Sequence, residues 1–255
     1  MKQSLCYPIY VGNAGGPEKL CARAAEIGYA AIEFWSWQSG YDEVVRIAQS
    51  HGLAICSFGG HDSIEHGFNE VGEHERIIAE LKVSIDRAAK LGVPGVIGFG
   101  GGRLGNQSDI EGMVVAAQGL RQVAPYAEEK GVNINIEILN SRNDHPGYVC
   151  DRVDWGIALC EMVGSPRVKL LFDIYHVQIM QGDVIRHLRS ALPHIGNLHT
   201  PATPGRNELD RGEMNYPGIC TALREMGYDG YLGHEFFPKN PDHLQALEDA
   251  FHLCS

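Results

Sequence analysis

Basic residues are in short supply in this chain: 21 lysines and arginines stand against 32 aspartates and glutamates among 255 residues, a formal charge of −11. An acidic surface without a basic stripe repels a phosphate backbone, so nucleic acid is not expected as a partner. Long apolar runs are also missing. Nothing approaches the roughly 18 consecutive apolar residues of a membrane span, so no membrane partner is expected either. The seven cysteines (Cys6, Cys21, Cys56, Cys150, Cys160, Cys220 and Cys254) include no C-x-x-C pair, and their odd number and scattered spacing point to reduced thiols rather than a disulfide framework. The opening Met-Lys-Gln-Ser-Leu-Cys-Tyr-Pro has neither a long apolar core nor a small-residue cleavage site. Together these features give the expectation of a soluble, cytoplasmic protein. No Pro/Ser-rich linker, charge block or low-complexity tract divides the chain, which is expected to form one domain over residues 1–255.

What is present is ample material for a core. With 44% hydrophobic and 21% charged residues, a disordered or fibrous chain is ruled out. Short β-rich runs at 4–11, 30–35, 53–59, 95–100, 133–139, 168–174, 195–200 and 231–237 alternate with segments of helical periodicity such as 17–28 and 73–92. Several helices run into a glycine, at Gly28, Gly52, Gly92, Gly131 and Gly227, and a new apolar run follows within a few residues. Glycine tolerates the left-handed conformation that stops a helix, so the pattern is helix, cap, next strand. Strands separated by helices must pair in parallel, and about eight such units predict an α/β fold, a single (β/α)8 TIM barrel, rather than an open sheet.

In such a barrel, side chains at the C-terminal strand ends face the mouth where substrates bind. Four runs place chemistry there. Alternation in Asn133-Ile134-Asn135-Ile136-Glu137-Ile138 sends the isoleucines toward the helices and Glu137 inward. The segment Val168-Lys169-Leu170-Leu171-Phe172-Asp173 ends in Asp173, the run 195–200 carries His199 near its end, and Tyr231-Leu232-Gly233-His234-Glu235 ends in another acid. Three carboxylates and an imidazole at one mouth repel one another unless a cation intervenes. An oxygen-rich set with one nitrogen suits a divalent metal ion such as Mn2+, Mg2+, Co2+ or Zn2+. The competing reading is four separate strand-end polar groups in salt bridges or solvent. It suits any one of them alone better than four on consecutive strands.

The segments IEILN at 136–140, FDIYHVQ at 172–178, NLHTPATPGRNE at 197–208, GEMNYPGI at 212–219 and GYDGYLGHEFFP at 227–238 resemble the hydroxypyruvate isomerase family. That family lies within the xylose isomerase-like TIM barrels, which also hold ketose 3-epimerases and endonuclease IV-type repair enzymes. The similarity lies in the second half of the chain; the first half matches in its order of strands and helices. The resemblance implies an isomerase of a small hydroxy-keto acid or sugar, with hydroxypyruvate and tartronate semialdehyde as the named pair. It implies metal ligation by Glu137, Asp173, His199 and Glu235, with Glu137 and Glu235 also the catalytic acid/base pair. His176 would hydrogen-bond a substrate oxygen, although a helix-capping or ligand-orienting histidine is its plainer reading. Arg206 would bind a substrate hydroxyl or carboxylate through its fork of donors, with Arg142 and Arg103 as weaker candidates. His199 departs from the family pattern, because hydroxypyruvate isomerases place a glutamine there and ketose 3-epimerases a histidine. A ketose 3-epimerase is therefore the alternative. An endonuclease IV-like enzyme is disfavoured by the charge, and a non-catalytic sugar-binding barrel is a further option. The resemblance also allows a homo-oligomer.

Other features are expected to be structural. Gly100-Gly101-Gly102-Arg103-Leu104-Gly105 matches G-x-G-x-x-G, but the next helical pattern starts near Asp109 instead of on the motif, so the glycines read as a flexible loop. His61, His66 and His74 lie where the endonuclease branch keeps extra ligands, yet pocket-lining or surface roles are favoured. Trp35 and Trp37 form either an apolar wall for substrate or rim packing. Asn106-Gln107-Ser108 fits a glycosylation acceptor only by chance in a cytosolic protein.

Overall fold

The computed structural model describes residues 1–255. Eight parallel strands close into a barrel in the order β1-β2-β3-β4-β5-β6-β7-β8, as alternating strands and helices require. The strands are β1 (Lys2–Cys6), β2 (Ala31–Glu33), β3 (Ala54–Gly59), β4 (Gly95–Gly98), β5 (Asn133–Glu137), β6 (Val168–Asp173), β7 (Ile195–Thr200) and β8 (Tyr231–His234). The helices are α1 (Tyr7–Ala14), α2 (Pro17–Ile27), α3 (Tyr41–Ser50), α4 (His74–Leu91), α5 (Asp109–Lys130), α6 (Val153–Val163), α7 (Ile174–Met180), α8 (Val184–Ala191), α9 (Tyr216–Glu225) and α10 (His243–Leu253). No helix is long and apolar enough to cross a membrane. All seven cysteines are buried free thiols.

Packing is densest within two units, Met1–Ser57 with Leu198–Ser255, and Phe58–Asn197. In the first, β1 lies between β2 and β8, with Ser4 opposite both Ala31 and Gly233, and β7 pairs with β8, with His199 opposite Gly233. In the second, β4, β5 and β6 pair in sequence through Val96, Ile134 and Val168, and α4, α5 and α6 cover them. Ile134, Ile136 and Ile138 are fully buried, and Asn135 and Glu137 of the opposite face are buried too, as parallel strands covered on both faces demand.

The expected strands are correct in number and order but several extend too far. The first run does not continue to residue 11: β1 stops at Cys6 and α1 begins at Tyr7. Pro8 explains the switch, because its fixed φ and missing N–H suit the first turn of a helix and break a ladder. The runs ending at 35, 100, 139 and 237 lose their last residues to the loops that carry the site, and the run ending at 174 gives up Ile174 to α7. Gly28, Gly92 and Gly131 cap helices in the left-handed conformation, whereas at Gly52 and Gly227 the capping residue is the one before, His51 and Met226. The glycine run after β4 is packed rather than loose. Gly100 and Gly101 are buried, and a Cβ at Gly101 would collide with the Asn69 side chain. Helix α5 opens at Asp109 on a capping box in which Ser108 and Glu111 satisfy each other's backbone N–H, which is the structural role of the Asn106-Gln107-Ser108 triplet.

Candidate active site

In the first unit, Glu33, His199 and Glu235 stand at or just past the ends of β2, β7 and β8, all buried. His199 lies between the two acids, with Nε2 at 3.3 Å from Glu33 Oε2 and Nδ1 at 3.4 Å from Glu235 Oε2. Burial disfavours a charged ring, but Glu33 and Glu235 outweigh it and hold His199 well above the ordinary histidine value. Glu235 is gripped on both oxygens. Trp35 Nε1 donates to Oε1 at 2.6 Å and Arg206 Nη2 to Oε2 at 2.6 Å. Burial raises its proton affinity, yet His199, Arg206 and Trp35 prevail and pull Glu235 below the usual carboxylate range.

Arg206 reaches this carboxylate from the loop after β7. The loop is tied down by a bridge between Ala202 and Asn207, by Phe237 N donating to Arg206 O at 2.7 Å, and by Asn207 Nδ2 donating to Phe237 O at 2.9 Å. Arg206 itself has φ of 54°, a left-handed conformation that side chains other than those of glycine and asparagine rarely adopt. Its guanidinium lies 5.8 Å from the Phe237 ring centroid.

In the second unit, Glu137 ends β5 and Asp173 ends β6. Asp173 is also the N-cap of α7, its Oδ1 accepting from Tyr175 N at 2.8 Å and His176 N at 3.2 Å, which turns Oδ2 toward other work. His176 is fully buried. Asn140 donates to its Nδ1 from the backbone at 3.0 Å, which assigns the proton to Nε2, 3.7 Å from Asp173 Oδ2. The ring is thus held between Asn140 and the strand-end acid. Tyr148 fixes the end of β5, accepting from Gly100 N at 2.8 Å and donating to Glu137 O at 3.0 Å.

The four expected metal ligands come together: Glu137, Asp173, His199 and Glu235 each offer a ligand atom, all within 4.8 Å of one another. All four are buried. Three acids and an imidazole drawn this close out of water fit a hard divalent cation in both charge and donor type.

The remaining expectations sort by contact. Trp35 belongs to the site through Glu235, while Trp37 is rim packing, edge-on to Phe34 at 5.9 Å. His61 is buried and accepts Phe99 N–H on Nε2 at 3.0 Å, and burial holds it below the ordinary histidine range. His74 is buried with Nε2 2.8 Å from Phe68 O, and His66 is exposed beside Glu70. Arg103 pairs with Asp109 and Asp151, and Arg142 donates to Ile179 O at 3.0 Å. Glu33 is the residue that reasoning from the sequence missed. Its signal was the same as that of the others, an acid closing a β-rich run.

A family model of xylose isomerase-like TIM barrels matches residues 21–254. A 2-oxo-tetronate isomerase of Cupriavidus necator is 40% identical over 122 residues, 48% of this chain and 46% of that protein. A human protein provisionally named a hydroxypyruvate isomerase is 28% identical over 247 residues, covering 92% of this chain and 88% of its own. Among solved structures, a D-psicose 3-epimerase from Clostridium cellulolyticum, crystallised with D-tagatose, superposes with a TM-score of 0.77 over 100% of both chains at 18% identity, a likeness of fold.

Proposed function

Because the chain belongs to the xylose isomerase-like TIM-barrel family and is an isomerase, we propose that it moves a carbonyl along a short hydroxy-keto acid, with hydroxypyruvate to tartronate semialdehyde as the named reaction. The observation that carries this reading is the convergence of Glu137, Asp173, His199 and Glu235, with ligand atoms within 4.8 Å of one another. The relatives' names support the substrate class. Hydroxypyruvate and 2-oxo-tetronate are both 2-oxo acids with a hydroxyl on the next carbon, so one rearrangement describes both.

Those four residues would hold a divalent cation, Mn2+, Mg2+, Co2+ or Zn2+, which when bound would ease the build-up of negative charge on neighbouring oxygens. The chain's own groups do the rest. Glu235 takes the proton from the hydroxyl-bearing carbon, giving an enediolate, and a proton returns at the former carbonyl carbon while the hydroxyl proton passes between the two oxygens. Trp35 and Arg206, one on each oxygen of Glu235, fix the plane of that carboxylate and keep it ionised, ready to accept. Glu137 is the second acid/base. His176, with its proton on Nε2 set by Asn140, donates to a substrate oxygen, and Arg206 supplies a cation for the substrate carboxylate.

A ketose 3-epimerase is the second reading, favoured by the histidine at position 199 and by the presence of two glutamates. One glutamate would take a proton from one face of the carbon and the other would deliver to the opposite face. Proton NMR in D2O separates the two, using Mg2+-loaded protein and its Glu235→Gln variant with hydroxypyruvate and with a neutral ketose. Conversion of hydroxypyruvate, reduced about 100-fold or more in the variant, is the expected result. Deuterium entering only the ketose would transfer the protein to the epimerases, and no exchange in either would overturn both readings.

A further inference from the structure

Glu33 is a buried carboxylate that takes no part in the proton transfers above. It is 1% exposed at the end of the three-residue strand β2. The β2–β3 register shifts there: Ile32 pairs with Ile55 but Glu33 with Ser57, so Cys56 is passed over. Such an irregularity re-aims a strand-end side chain. Three groups hold the carboxylate where it points. Ser4 Oγ donates to Oε1 at 3.4 Å, Cys56 Sγ lies 3.7 Å from Oε2, and His199 Nε2 lies 3.3 Å from Oε2. Space for them comes from Gly233, the β8 neighbour of both Ser4 and His199. A Cβ there would collide with Glu33 Oε1 and stand 2.9 Å from His199 Cδ2.

The two nitrogens of an imidazole face opposite ways, so His199 can offer only one of them to the cluster it shares with Glu137, Asp173 and Glu235. Its Nδ1 edge faces Glu235, a member of that cluster, and its Nε2 edge faces Glu33, which is not a member. We propose that Glu33 is the positioning residue of the site. It anchors the Nε2 edge of His199, so that Nδ1 is the nitrogen that binds the cation, and it contributes no ligand atom of its own. A carboxylate behind a ligating histidine fixes the ring and raises its basicity. The inference rests on the divalent-cation reading given above.

The test uses Zn2+ alone as the probe. Long-range 1H–15N NMR of the Zn2+-loaded protein labelled in its histidines reads each nitrogen of His199, and competition with a chromogenic chelator reads affinity. The expected result is a protonated Nε2 and a metal-bound Nδ1, with Glu33→Gln weakening Zn2+ about 10- to 100-fold at unchanged stoichiometry. Ser4→Ala keeps every charge and releases only Oε1, so it weakens Zn2+ about threefold. It carries the affinity test if circular dichroism shows that Glu33→Gln does not fold. A metal-bound Nε2 in the unaltered protein, or Zn2+ affinity in a folded Glu33→Gln within twofold of it, would overturn the assignment. Asp173→Asn keeps the two readings apart. If it binds Zn2+ as well as the unaltered protein, the four-residue cation site itself is wrong; if only Asp173→Asn loses Zn2+, Glu33 alone has been misassigned.

Discussion

Arg206 is where the local cost and the chemical return are easiest to weigh. A non-glycine residue at φ of 54° stores about 1–3 kcal/mol of backbone strain, and the loop bonds around it hold it there. What the strain achieves is a guanidinium placed on the carboxylate proposed as the catalytic base. A guanidinium has five N–H donors, so one carboxylate does not exhaust it. Arg206→Ala is therefore expected to act on two quantities. Loss of a charge-assisted contact worth about 1.5–3 kcal/mol raises KM for hydroxypyruvate roughly 10- to 100-fold, while KM for a neutral ketose changes little. kcat falls with either substrate, because Glu235 loses a partner. Steady-state kinetics with both substrates read this directly, and equal KM changes would remove the carboxylate-binding role. At this scale the sequence was informative wherever a residue closes a β-rich run, as Glu137, Asp173 and Glu235 do. Glu33 does so too, but its strand has only three residues and too little alternation to mark an inward face. The grip of Trp35 and Arg206 on Glu235 was not legible, because those partners are 200 and 29 residues away in sequence and only the fold makes them neighbours.

At the scale of elements, the order of strands was readable because the apolar period changes from 3.6 to two at each glycine that ends a helix. The segments after β1 and β6 were harder. Pro8 converts the end of the first apolar run into α1, and Asp173 closes a strand and caps α7 in one residue, so a single side chain carries two signals. Glycines within helices give a test of whether packing or intrinsic preference dominates. Gly12 of α1 has nothing within 4 Å of where a Cβ would sit, so Gly12→Ala should stabilise by about 0.5–1 kcal/mol, the propensity difference alone. In α5, a Cβ at Gly119 would lie 2.7 Å from His74 Nε2 and 2.8 Å from Phe68 Cδ1. Both neighbours are buried, and the His74 ring is fixed by its contact with Phe68 O. Overpacking of about 1–3 kcal/mol then exceeds the helix gain, and Gly119→Ala should destabilise. Urea unfolding of the two variants reads both signs. Stabilisation by both would show that the α4–α5 contact yields more easily than a packed core should.

For the whole molecule, closure of eight strands gathers charge that an open sheet would spread apart. A chain of net charge −11 brings three of its carboxylates and one imidazole together away from water, with a ligand atom of each within 4.8 Å of the others. Removing charges from solvent costs several kcal/mol each unless opposite charge compensates, so the folded protein should bind a divalent cation far better than the unfolded chain, in which these residues are dispersed. Linkage then makes folding stability depend on the cation. At a free concentration 100 times Kd the gain is about 2.7 kcal/mol, which for a chain of this size raises Tm by roughly 5–10 °C. Differential scanning calorimetry of EDTA-treated protein, titrated separately with Mn2+, Mg2+, Co2+ and Zn2+, should show that rise with at least one of them. It should also show it abolished in Asp173→Asn, which removes a ligand charge yet keeps an amide oxygen to cap α7. Adventitious binding at the partly exposed group of His66, Glu70 and Glu73 would raise Tm equally in both proteins. A shift that survives Asp173→Asn, or no shift with any of the four ions, would break the link between the buried charge cluster and the cation.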